Sequence, residues 1–206
     1  MALYINQRYV EYCVKPGNIN EHLPILKQFS TACETIIEMG VNTMVSTWAF
    51  LKGLSENGVT NKRLICVDIN TPYNIDNVIE SVKEVGINME YINHNSATID
   101  IPETDLLFID TWHIYAHLKK ELETHHSKVR KYIILHDTTI DRTVGESIRR
   151  RMDTKKQSEY YGYPEEEIRQ GLGRAVSEFL INHSEWNVLV IYENNNGLTV
   201  LQRCHS

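Results

Sequence analysis

The sequence predicts an α/β fold: a single doubly wound sheet, mostly parallel, finished by a C-terminal antiparallel hairpin strand. Three observations carry that prediction. Short apolar runs at 35–40, 63–68, 105–110 and 132–135 end in, or lead directly into, a glycine or a carboxylate, as suits strands buried on both faces of a parallel sheet. Segments of helical period separate them, the alternation that builds βαβ units. Near the end, strand-like runs at 186–192 and 197–202 are joined through Asn196-Gly197, a strong hairpin signal.

Taken in order, residues 1–18 are polar and mixed, with a break at Pro16-Gly17. Asn20 can cap a helix over 21–33, with Pro24 near the first turn, where a missing N–H costs little. Its apolar residues Leu23, Leu26, Phe29 and Ala32 fall at helical spacing. Residues 35–40 form the first strand, and a helix follows over 46–56 with Ser46 or Thr47 as its cap. The second strand, 63–68, leads to a helix over 75–85 that Gly86 stops. The third, 89–92, runs into His94-Asn95-Ser96. The fourth and fifth, 105–110 and 132–135, are joined by an amphipathic helix over 116–129. Residues 140–165 carry Tyr160, Tyr161 and Tyr163 without a clean period and read as a loop or lid; a further helix covers 165–180. No repeat or low-complexity tract interrupts this pattern, so residues 1–206 are expected to form one domain, with 1–34 as an N-terminal segment and helix.

A chain of 206 residues suffices for one substantial core. An apolar content of 42% and a charged content of 23% are globular values and argue against disorder. The net charge of −6 argues against a nucleic-acid-binding face. The basic cluster Arg149-Arg150-Arg151 with Lys155-Lys156 reads as a solvated face. Cys13, Cys33, Cys66 and Cys204 form no CxxC pair, which fits a reduced, intracellular setting. With no signal-peptide pattern and no membrane-spanning apolar run, a cytoplasmic protein without a membrane partner is expected.

The candidate chemistry gathers at the carboxyl ends of the strands, where ligands of such sheets bind. Glu38 and Gly40 end the first strand, and glycine lets backbone approach a cofactor closely. There is no GxGxxG, so dinucleotide binding is poorly supported. Asp68 ends the second strand, where an acid reaches ribose hydroxyls. Asp110, His136 and Asp137 are metal candidates, a donor set suited to Mg²⁺ or Mn²⁺ and a poor zinc prospect. His113, three positions past Asp110, is placed to act as a base. His117, His125 and His126 read as surface residues, and His94 as either an adenine contact or a loop hydrogen bond.

Glu38-Met39-Gly40, Val67-Asp68, Phe108-Ile109-Asp110-Thr111-Trp112-His113 and Leu135-His136-Asp137-Thr138 together resemble the class I S-adenosylmethionine-dependent methyltransferases. Within that class they are most similar to the metal-dependent O-methyltransferases of rhamnosyl, macrolide-sugar and cephalosporin-biosynthesis type. Residues 194–201 and the Gly171-Leu172 turn share the resemblance, which runs from about residue 20 onward. It implies a Rossmann-like fold and methyl transfer to a hydroxyl of a sugar or related polyol. Glu38 and Gly40 would lie against the methionyl part of S-adenosyl-L-methionine, Asp68 against the ribose, and Asn95 and Ser96 against adenine. Asp110, which counts among the cofactor-site residues as well, would hold a divalent metal with Asp137 and His136. His113 would be the general base. Met44 stands where many relatives carry a second glycine, and would crowd the amino-acid end of the cofactor. Thr111-Trp112 replaces the usual Gly-Asp before the histidine. The alternatives are a binding module that kept only the fold and a metal-dependent hydrolase. Homo-oligomerisation is compatible with the sequence.

Overall fold

The computed structural model describes residues 1–204. Helix α1 (Ala2–Val14) opens the chain, and a 3-10 turn at Asn20–His22 leads into α2 (Leu23–Thr31). Strand β1 (Thr35–Met39) is followed by α3 (Val45–Glu56), β2 (Lys62–Asp68), α4 (Ile75–Val82), β3 (Ile87–Asn93) and β4 (Thr104–Ile109). Then come α5 (Tyr115–His125), β5 (Val129–His136), the short α6 (Glu146–Arg149), α7 (Thr154–Tyr161) and α8 (Glu165–Ile168). Helix α9 (Leu172–Asn182) and strands β6 (Trp186–Tyr192) and β7 (Leu198–Arg203) complete it.

The strands form one seven-stranded sheet in the order β3-β2-β1-β4-β5-β7-β6. Strands β1 to β5 pair in parallel, and β7 runs antiparallel to both β5 and β6. One reversed strand in a doubly wound sheet is the predicted architecture.

Side chains alternate across each strand, and both faces are apolar. Ile36, Leu64, Leu106, Phe108, Ile134 and Val200 face helices α1 to α4. Ile37, Ile65, Leu107, Ile133 and Leu135 face α5 and α9. Glu38 is the exception, a fully buried acid on the first of these faces. The order of strands reverses between β1 and β4, so the crevice at their carboxyl ends is the switch point where ligands of this architecture bind.

Three stretches depart from expectation. Residues 2–14 are helical rather than irregular: Ile5, Tyr9, Tyr12 and Cys13 fall on one face and pack against the core. The helix expected over 165–180 is broken at Arg169–Gly171, where the Gln170 carbonyl accepts from the Tyr115 N–H at 2.8 Å. Residues 140–165, expected as a loop or lid, contain α6 and α7, the latter capped by Asp153 accepting from the Lys156 N–H.

Candidate active site

At the tip of β1, Gly40 sits at φ 86°, and a Cβ there would stand 1.9 Å from the Asp110 carbonyl oxygen. The glycine is therefore needed because the end of β4 passes against it. Asp110 N–H donates to the Met39 carbonyl at 2.9 Å, fixing the two strand tips side by side. Met44 takes the left-handed conformation (φ 63°), yet its side chain turns into the core and does not line the cleft. The expected crowding of a cofactor by Met44 is not found.

A cavity of about 580 Å³ opens along these tips, within the usual range for small-molecule sites. Gly40, Asp68, Asn95, Ser96 and Asp110 all line it, as do Trp112, Glu146, Arg150, Tyr161 and Tyr163. Five of the six residues expected at a cofactor thus share one cleft. Glu38 is the sixth and does not reach it: its two oxygens accept from Ser46 Oγ at 2.5 Å and Thr47 Oγ1 at 2.8 Å, at the start of α3.

Asp68 Oδ2 accepts from the N–H groups of Val41 and Asn42 at 2.8 and 3.0 Å, and Oδ1 from that of Asn70 at 2.9 Å. A carboxylate offers about four lone-pair sites, so it shapes the β1 turn and keeps capacity for a hydroxyl. The turn after β3 is held from α5. Ser96 Oγ is 3.2 Å from His117 Nε2, and the Ser96 carbonyl is 2.6 Å from His125 Nε2. His117 and His125 are buried, correcting their expected surface placement. Their spacing at one helical turn to either side of Glu121, itself fully buried, was the missed signal. His94 lines the cleft and also bonds the Asn95 carbonyl at 3.0 Å.

Beside Asp110 the structure assembles an acid–imidazole cluster. His113 Nε2 lies 3.0 Å from Asp110 Oδ1, and its Nδ1 lies 2.9 Å from Asp137 Oδ2, 3.4 Å from Asp141 Oδ2 and 3.6 Å from Glu146 Oε2. His136 Nδ1 approaches Asp110 Oδ1 at 3.2 Å and Asp137 Oδ1 at 3.3 Å. Its Nε2 faces the carbonyls of Asn18 and Asn195 at 3.0 and 3.3 Å. Burial alone lowers an imidazole pKa, but Asp110 and its neighbours outweigh it and raise both rings above the ordinary value, His113 by far. Burial likewise works to raise the pKa of Asp110, and the two imidazoles overcome it and lower it.

Asp141 and Glu146 went unnoticed in the sequence. Asp141 follows Asp137 by one helical turn and is gripped by Arg149 at 2.6 and 2.7 Å. Arg150 pairs with Glu146 at 2.8 Å. Arg149 and Arg150 therefore reach the site through these acids while, like Arg151, they remain exposed, so the solvated-face reading stands and is extended by the two ion pairs.

The cluster fits a divalent cation in two respects. Its donors are carboxylate oxygens and imidazole nitrogens, a set that suits a hard or borderline ion, while the 3.0 and 2.9 Å contacts to Asp110 and Asp137 use opposite nitrogens of His113, whose ring lies between the two acids. Buried Asp137 Oδ1 and His113 Nδ1 make no hydrogen bond of good geometry among the described residues, despite the short contacts above. One atom each from Asp110, His113 and Asp137 converges within 4.8 Å. His136, with Nε2 turned to carbonyls, stands behind these residues. Four carboxylates against two guanidiniums leave two negative charges, which two imidazolium rings or one divalent ion can balance.

The sequence matches no protein-family model and none of the curated proteins. Solved structures do match. The O-methyltransferase TomG from Streptomyces achromogenes, solved with SAM, superposes with a TM-score of 0.57 at 12% identity, covering 99% of this chain and 89% of its own. The chain has the O-methyltransferase fold. A candidate caffeoyl-CoA O-methyltransferase from Staphylococcus aureus shares that fold with a TM-score of 0.57 at 13% identity, over 89% of this chain and 83% of that one. A methyltransferase from Geobacter sulfurreducens shares it at 0.53 and 12% identity, over 98% and 88%. At such identities the methyltransferase fold is shared while most side chains differ, so the chemistry of this chain has to be argued from its own cleft.

Glu38 yields a test of the fold's electrostatics. Burial pushes its carboxyl from 4.5 up to about 7, against the hydrogen bonds from Ser46, Thr47 and Cys66 that favour its charge. A raised acid destabilises once ionised. Its contribution is most favourable below the unfolded value and declines as pH rises through about 7. Glu38→Gln is expected to remove that decline, gaining roughly 2–3 kcal/mol over the parent between about pH 5 and pH 8.5 in urea denaturation. An offset that stays constant with pH would show that the acid does not titrate in this way.

Proposed function

We propose that the protein transfers the methyl group of S-adenosyl-L-methionine to a hydroxyl of a sugar or related small polyol, with a divalent cation, Mg²⁺ or Mn²⁺, assisting. The observation that carries this reading is the continuity of one cleft: a nucleoside-type wall at Gly40, Asp68, Asn95 and Ser96 runs into Asp110 and Glu146, the two acids of the cluster that line the cavity, and into Trp112, Tyr161 and Tyr163, with His113 directly behind Asp110.

In this reading Asp68 accepts from the ribose, the Asn95-Ser96 turn meets the adenine, and Gly40 borders the methionyl part. Glu38 acts from behind, by holding the start of α3. Trp112 and Tyr161, whose ring centroids are 4.8 Å apart, offer flat faces to the acceptor, while Tyr160 points to solvent. The acceptor's C–O bond forms as the sulfonium's C–S bond breaks, S-adenosylhomocysteine leaves, and the hydroxyl proton passes to His113. The surrounding acids raise the affinity of His113 for that proton and hold it once taken, so the ring acts as base only where it starts neutral. Asp110 and Asp137, with His136, would hold the ion, whose contribution is to acidify a bound hydroxyl. The remaining contribution of the chain is placement, which in well-oriented systems supplies roughly 7–11 kcal/mol.

Calorimetry with S-adenosylhomocysteine, with and without Mn²⁺, tests the reading. Binding is expected for the parent. Asp68→Ala is expected to weaken it by about 10–100-fold, the equivalent of losing a charge-assisted hydrogen bond of roughly 1.5–3 kcal/mol. A parent chain that takes up no cofactor under either condition removes the methyl-transfer reading altogether.

A further inference from the structure

Two imidazoles and a carboxylate converge at the opposite edge of the sheet, beside the amino ends of β5 and β6. His126 begins the turn after α5, His183 follows α9, and Glu185 immediately precedes β6. One ligand atom from each lies within 4.8 Å of the others. Glu185 Oε1 stands 3.6 Å from His126 Nδ1 and 3.6 Å from His183 Nδ1. Corners of a tetrahedron with bonds near 2.05 Å are about 3.3 Å apart, so the two Glu185 contacts need to close by only a few tenths of an ångström.

The rings are already held for this. Their centroids lie 4.0 Å apart, and Phe179 packs against both, at 5.5 Å from His126 and 4.7 Å from His183. His126 Nδ1 is buried with no hydrogen-bond partner among the described residues, a costly arrangement unless something else uses the lone pair. The nearby guanidinium of Arg203 comes no closer than 4.0 Å to Glu185 Oε1 and lies over the Trp186 ring at 5.4 Å.

We propose that His126, His183 and Glu185 form a second metal site, taking a borderline ion such as Zn²⁺ with one position left to water. Two imidazoles and one carboxylate suit Zn²⁺ better than Mg²⁺, which prefers oxygen ligands and octahedral geometry. The site is distinct in place and chemistry from the oxygen-rich cluster in the cleft. An ion here ties the ends of α5 and α9 to the start of β6, and so stabilises the folded chain by mass action.

The test is calorimetric and thermal titration of the chelator-stripped full chain with Zn²⁺, in excess Mg²⁺ to occupy the oxygen-rich cluster. The expected result is one equivalent bound with a rise in Tm. Glu185→Gln and His183→Gln are each expected to weaken binding about tenfold or more and abolish the Tm rise, with S-adenosylhomocysteine binding unchanged. His126→Ala risks the fold, whereas His183 is 26% exposed and keeps the test decisive. Cobalt supplies a second readout, since the parent but not His183→Gln should give tetrahedral d–d absorption. Equal Zn²⁺ affinity in parent and His183→Gln overturns the proposal. So does Zn²⁺ binding that disappears in Asp137→Asn and persists in Glu185→Gln, which would put the ion in the cleft.

Discussion

Asp110→Ala is expected to cost the folded chain roughly 3–5 kcal/mol and to lower methyl transfer by about 10²–10³-fold. The stability loss follows from what the carboxylate holds. Its Oδ1 is shared by His113 Nε2 at 3.0 Å and His136 Nδ1 at 3.2 Å, and both rings are buried against it. Without the acid, His136 retains two carbonyls on Nε2 and loses its nearest charge partner. The cost is that of two buried imidazoles left to share the single carboxylate of Asp137, and is larger than the packing loss from so small a side chain. A double variant separates the two contributions. If unpaired charge dominates, Asp110→Ala with His136→Gln should regain part of what the single variant lost, whereas a cavity effect would make the losses add. Urea denaturation of the four proteins gives the answer, and additive losses would remove the charge argument.

The architecture was legible because its strands are buried on both faces. Such strands must be continuous apolar runs, and their ends are marked by the first polar residue able to reach solvent: Asp68, Asp110 and the His136-Asp137 pair. The same logic brought five candidate residues into one cleft. Helix α1 escaped because Leu3, Val10 and Val14 are exposed apolar residues that blur the stripe made by Ile5, Tyr9 and Tyr12. Glu38 was legible as a strand-end acid but not as a core residue, since nothing local announces that Ser46 and Thr47 will turn back onto it. Asp141, Glu146, Arg149 and Arg150 were invisible for a related reason. They sit in a polar stretch without period, where Asp141 pairs with Arg149 and Glu146 with Arg150, and only the return of that stretch over β4 brings the two acids to His113. Long-range pairing is the part of a site that a local pattern does not encode.

Gly40→Ala should be among the most damaging single substitutions in the chain, and a second glycine calibrates it. At Gly40 the added methyl stands 1.9 Å from the Asp110 carbonyl oxygen, and the residue is held at φ 86°. At Gly86 the conformation is similar, φ 71°, but no atom lies within 4 Å of the added carbon. Gly86→Ala therefore reports backbone strain alone, about 1–2 kcal/mol. Gly40→Ala adds displacement of the β4 tip and should reach about 3–5 kcal/mol. Because the displaced atom is the carbonyl of Asp110, the effect cannot stay local. The hydrogen bond from Asp110 N–H to Met39 and the carboxylate's grip on both imidazoles move with it. Cofactor binding should consequently fall in Gly40→Ala and hold in Gly86→Ala. If the two variants lose equal stability and both retain cofactor, the tips of β1 and β4 do not meet as described, and the cleft loses the contact that places its acid beside its nucleoside wall.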